Sequence, residues 1–162
     1  MIARILVALD ASPRAAGVLW TAAEIARRFD AAVHPLRVVF VPPEFPPSAH
    51  VAHGDPLPDH LMRGAEEELR HLVASAADLR LMAPMVRRGQ PWRVILAVAE
   101  EIDANLVVIG SHGYHGIDRL LGTTASKVAN LATRDVLVVH NRVDPPNSSS
   151  LLGGDESTGP YR

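Results

Sequence analysis

The sequence predicts an α/β protein: an open parallel sheet with helices on both faces. Three runs, residues 5–9 (ILVAL), 106–109 (LVVI) and 136–139 (VLVV), are apolar without polar alternation. Short runs of this kind, rich in branched side chains, fit strands covered on both faces. Helix-period stretches separate them, and the resulting order β-α-β-α-β-α-β-α-β contains five strands. Strands that alternate with helices close into a parallel sheet through right-handed crossovers.

Each element follows from local signals. The first strand meets Asp10, and Ser12 and Pro13 then suit an N-cap and a first helical position. Leu19, Ala22, Ala26 and Phe29 share one face of that first helix, with Arg27 and Arg28 complementing its C-terminal end. A weaker strand covers residues 32–39. Residues 42–58 hold six prolines and are expected to form a mobile loop. A second helix is expected from about Asp59 to Ala77, with Leu61, Ala65, Leu69, Leu72 and Ala76 inward. In the next strand, residues 79–88, Pro84 removes a ladder donor and marks a sheet edge. The turn Gly89-Gln90-Pro91 enters a third helix, whose apolar positions are Trp92, Ile95, Leu96, Ala99 and Ile102. A fourth begins near Gly122-Thr123 and buries Ala125, Val128, Ala129 and Ala132. No internal repeat is visible.

The 162 residues read as one domain, residues 1–140, followed by a polar tail, 141–162, expected to be disordered. A formal charge of −2 provides no electrostatic reason to expect nucleic acid or an anionic membrane as partner. The absence of cysteine excludes disulfides, thiolate metal sites and thiol catalysis. No apolar stretch approaches the ~18 residues needed to span a bilayer, and the N-terminal run is too short for a signal peptide. A cytoplasmic protein is expected.

Three junctions carry a further pattern: Leu9-Asp10-Ala11-Ser12, Arg88-Gly89-Gln90-Pro91 and Gly110-Ser111-His112-Gly113, each after a strand. Together with Arg119-Leu120-Leu121-Gly122-Thr123, leading into Val136-Leu137-Val138-Val139, they resemble the universal stress protein family over about residues 1–140. The resemblance implies a Rossmann-like, open five-stranded sheet of order 3-2-1-4-5. It also implies a stress-linked regulatory role and a homodimer formed partly through the last strand, Val136 to Val139. Some members of the family bind ATP and others do not. The ATP-binding pattern is Gly, two residues, Gly, nine residues, Gly and Ser or Thr. Gly110 and Gly113 match its first part, but only eight residues separate Gly113 from Gly122. One residue is up to about 3.8 Å of chain, more than the length of a hydrogen bond to phosphate. Ala11 also stands where the family more often has glycine.

These residues admit two readings. Gly110, Gly113, Gly122 and Thr123 form either a phosphate cradle at a helix start or turn glycines with a threonine cap. Asp10 ends the first strand, where ligands of open α/β sheets collect. The resemblance would put it near an adenosine, with Ala8 and Val38 beside the base; the alternative is that it only organises a turn. Ile109, Arg119 and Thr124 complete the nucleotide-binding set that the resemblance implies. Ser111 lacks the Gly-x-Ser-x-Gly context of a nucleophile elbow, because Ile109 lies two residues before it. His112 and His115 lack an evident third metal ligand. Lys127, a turn into the fourth helix, is either a phosphate contact or a solvated lysine, and Trp92 reads as core rather than a ligand platform. The expectation is an adenine-nucleotide (ATP) binding regulatory domain without catalytic residues or a metal. The alternative is a nucleotide-free dimeric interaction module.

Overall fold

The computed structural model describes residues 1–41, 57–74, 76, 80–111 and 123–140. Among these, five strands and four helices alternate: β1 (Arg4–Ala8), α1 (Ala15–Phe29), β2 (Ala32–Val39), α2 (Leu57–Ala74), β3 (Met85–Arg88), α3 (Pro91–Glu101), β4 (Leu106–Gly110), α4 (Thr123–Leu131) and β5 (Asp135–Val139). The strands form one sheet of order β3-β2-β1-β4-β5. Every pairing is parallel, with Val7 opposite Pro35 on one side and Val108 on the other.

Strand alternation divides the core in two. Ile5, Val7, Leu9 and Val108 pack under α1 and α2, against Val18, Leu19, Ala22 and Leu69. Leu6, Leu36, Val107 and Ile109 face the other way, under Ile95, Val98 and Ala99 of α3 and Ala125 and Val128 of α4. Both faces of the central strands are thus covered, which is why β1 and β4 carry apolar residues at successive positions. At roughly 1.5–3 kcal/mol for each fully buried large aliphatic side chain, these two layers dominate the cohesion of the fold.

Several local expectations need correction. Helix α1 starts at Ala15, with Arg14 as N-cap and no side-chain cap bond. Ser12 instead closes the preceding turn, accepting from the Arg14 N–H at 3.3 Å while the Ala15 N–H donates to its carbonyl at 3.1 Å. Phe29, at the end of α1, is exposed, as are Leu61 and Ala129. Helix α2 begins at Leu57, so residues 57–58 are its first turn, where Pro58 lacks no needed donor. It ends at Ala74, and Ala76 is buried in the turn beyond it. The predicted strand 79–88 shortens to β3, preceded by an isolated bridge from Leu81 to Val33. Pro84 lies just before this edge strand, as its missing N–H requires. The remainder of the proline-rich loop, 42–56, and the tail lie outside the described residues.

Backbone hydrogen bonds also define the β5 edge, which no other strand pairs with among the described residues. The Ser111 N–H donates to the Val139 carbonyl at 2.9 Å, in a register that places Ile109 opposite Val138. A residue's N–H and C=O point to the same side of its strand, and successive residues alternate. Val136 and Val138 therefore present their backbone groups away from β4, toward the open edge.

Candidate functional site

Strands β1 and β4 are neighbours, but the chain leaves them toward opposite faces, to α1 and to α4. A crevice opens where such paths diverge, at the carboxyl ends of the strands. Here it is a cleft of about 310 Å³, within the range of small-molecule sites, about 300–1,000 Å³.

Its walls differ in chemistry. Leu36 and Val38 of β2, Ala8 of β1, Ile109 of β4 and Ile95 of α3 make an apolar side. Gly110, Ser111, Thr123 and Thr124, with Ser12 and Arg14 before α1, make a polar one. Helices α1, α3 and α4 all begin at the rim, and neither α1 nor α3 has a side-chain N-cap bond. Helix starts gathered there turn the positive ends of their dipoles toward the cleft. The combination suits a ligand with an apolar ring at one end and an anion at the other.

Asp10 organises the turn after β1 and also borders the cleft. Its Oδ1 accepts from the Ser12 N–H at 3.0 Å and the Ser12 hydroxyl at 2.6 Å, fixing the turn, and the residue also lines the cleft. Arg37 holds the same turn from outside, with Nη1 on the Asp10 carbonyl at 2.9 Å and Nη2 on Glu68 at 2.8 Å. Ala11 is exposed and absent from the lining, and its φ is not positive, so alanine there imposes no left-handed strain.

Of the residues read from the sequence as nucleotide-binding, Ala8, Asp10, Val38, Ile109, Gly110, Thr123 and Thr124 come together around the cleft. Gly113, Arg119 and Gly122 lie outside the described residues, as do His112 and His115. Lys127 does not line the cleft. Its ammonium stands 5.4 Å from the centre of the Trp92 ring, and the Arg93 guanidinium stands 5.1 Å from it. Trp92 is half-buried against the α3/α4 core and is likewise no part of the lining. Sequence reasoning missed Arg14, Val18, Leu36, Pro91, Ile95, Val139 and His140 as lining residues. Only the helix starts at Arg14 and Pro91 carried a signal, since each directly follows a strand. No group of three or more His, Asp or Glu placed to hold a metal ion occurs among the described residues.

A doubly wound parallel sheet with a cleft at its switch point defines the Rossmann-like class of α/β domain. Within that class the chain belongs to the universal stress protein family, whose family model matches residues 1–140. It is 32% identical over 143 residues to universal stress protein A homolog 1 of Coxiella burnetii, covering 83% of this chain and 94% of that protein. Among solved structures it resembles the universal stress protein UspA from Lactobacillus plantarum, at 26% identity and a TM-score of 0.69, over 86% of this chain and 98% of that one. A universal stress protein solved in complex with cAMP shares the fold at 23% identity and a TM-score of 0.54, over 86% and 97% of the two chains. Among the described residues, no helix is long and apolar enough to cross a membrane.

Proposed function

We propose that this chain is a regulatory universal stress protein of the cytoplasm that binds an adenine nucleotide, ATP, in the cleft between β1 and β4. It acts as a homodimer and is not an enzyme. The observation that carries this reading is the division of one cleft into an apolar wall and a wall of helix starts. A base would lie against Leu36, Val38 and Ile95, and a ribose near Asp10. Phosphates would lie toward Gly110, Thr123 and Thr124, where the positive end of α4 favours an anion. The cAMP complex of a relative supports the fold's capacity for an adenine nucleotide; at 23% identity, the argument for this chain rests on its own cleft. Binding would tie the segment 110–122 to the ligand and so change the surface offered to a partner.

One observation favours a second reading, a nucleotide-free dimeric interaction module: the eight-residue spacing between Gly113 and Gly122. Mass spectrometry of small molecules released from protein purified without added nucleotide, followed by calorimetric titration with ATP, decides between the two. Retained or titratable ATP supports the first. Clean protein with no binding heat supports the second, and inserting one leucine between Leu121 and Gly122 should then raise ATP affinity at least about tenfold.

A further inference from the structure

Outside the cleft, two exposed cations share one aromatic ring. The Arg93 guanidinium of α3 and the Lys127 ammonium of α4 stand 5.1 and 5.4 Å from the centre of the Trp92 ring. Trp92 is half-buried against the core under these helices, so packing holds the ring in place, while Arg93 and Lys127 are exposed. We propose that this cluster is a docking site for a short acidic peptide segment of a partner protein, its carboxylates meeting both cations. The inference stands apart from the nucleotide reading, since none of the three residues lines the cleft.

Uncompensated charge is the first argument. Arg4, Arg27, Arg37, Arg87 and Arg134 each pair with an Asp or Glu. Arg93 and Lys127 pair with no carboxylate among the described residues, although two helices bring them to the same ring. The ring's attraction for each offsets part of the repulsion between them. An anion shared by the two would turn that repulsion into attraction.

Helix polarity acts in the same direction. Helix α2 carries Asp59 in its first turn, whereas the first turns of α3 and α4 hold no acidic residue. Arg93 lies in the first turn of α3, where a cation opposes the helix dipole. The arrangement works against local helix stability and in favour of an incoming anion.

Composition decides the class of partner. The chain as a whole carries a formal charge of −2, so the positive potential is local. A long polyanion such as nucleic acid would meet net repulsion beyond the cluster. A short acidic segment needs only local complementarity: the Arg93 fork and the Lys127 point charge both suit carboxylates. The exposed part of the indole adds apolar contact.

The test uses the full chain carrying Trp20→Phe. Trp20 is exposed, so the change spares the core, and Trp92 is left as the only tryptophan. A Glu-rich peptide, its Gln counterpart and a single-stranded oligonucleotide are titrated by calorimetry and by Trp92 fluorescence. The Glu peptide should bind saturably, change the emission and weaken as salt rises. Combining Arg93→Gln with Lys127→Gln, both at exposed positions, should weaken it about tenfold. Four results would each overturn the proposal: no saturable binding of the Glu peptide, equal binding of the Gln peptide, tighter binding of the oligonucleotide, or full affinity in the double variant.

Discussion

Gly110 packs closely under Val18 of α1 beside the cleft, and Gly110→Ala tests that packing directly. The added methyl would lie 3.2 Å from Val18 Cγ2, so one of the two must yield by a few tenths of an ångström. Val18 has little room to yield. It is 3% exposed, and a β-branched side chain in a helix is confined almost to one rotamer. Overpacking costs about 1–3 kcal/mol, while replacing glycine by alanine returns about 0.4–1 kcal/mol by restricting the unfolded chain. A contact only slightly too short belongs at the low end of the first range, about 1 kcal/mol, leaving a net loss of about 0–0.6 kcal/mol. Val18→Ala alone should cost about 1–3 kcal/mol, at about 0.5–1.5 for each carbon removed. In the double variant the new methyl enters the space that Val18 vacates, so the two losses should fall short of additivity by about 0.5–1 kcal/mol. Urea denaturation of the four proteins at one fixed concentration measures this coupling. Strict additivity would refute the argument, because it would mean that the two side chains do not compete for the same space.

Gly89→Ala should be more damaging, by about 2 kcal/mol in the same assay. Gly89 has a φ of 148°, and an added Cβ would lie 2.9 Å from Val94 Cγ2; an alanine tolerated without loss would contradict the strained turn. His34 makes stability depend on pH. Burial first, and then the charge of Arg4, hold its pKa below the ordinary 6.5, so the unfolded chain binds the proton more readily than the folded one. The resulting stability is fully present above pH 6.5 and declines as the pH falls below that value toward the lower folded pKa. His34→Gln should flatten this slope in melts across mildly acidic pH, and an unchanged slope would assign the effect elsewhere. Light scattering should find a dimer at micromolar concentration, weakened by Val138→Pro. That change removes an edge-facing donor while sparing the ladder to β4; a stable wild-type monomer would remove the case for β5 as an interface.

The strands and their order of succession were legible because a strand buried on both faces must be apolar at every position, a signal contained in a few neighbouring residues. Ile5 to Ala8 and Leu106 to Ile109 lie within β1 and β4 for that reason. The inward faces of α1 and α3 were legible from periodicity at Leu19, Ala22, Ala26, Ile95 and Ala99. Periodicity says which side of a helix turns inward, but not how far the sheet extends beneath it. Phe29, the last residue of α1, and Leu61, near the start of α2, are therefore exposed despite an apolar position. The junction motifs located one end of the sheet as the candidate site, since backbone turns after strands depend on local residues such as Asp10 and Gly110. The cleft itself was decided by tertiary structure. Arg14, Leu36, Ile95 and Val139 come from four separate parts of the chain, and no spacing relates them. Only the parallel pairing of β1 with β4, and the departure of α1 and α4 to opposite faces, brings them around one space: a cleft is a property of how elements diverge, and that divergence is set by the packing of whole layers rather than by any one segment.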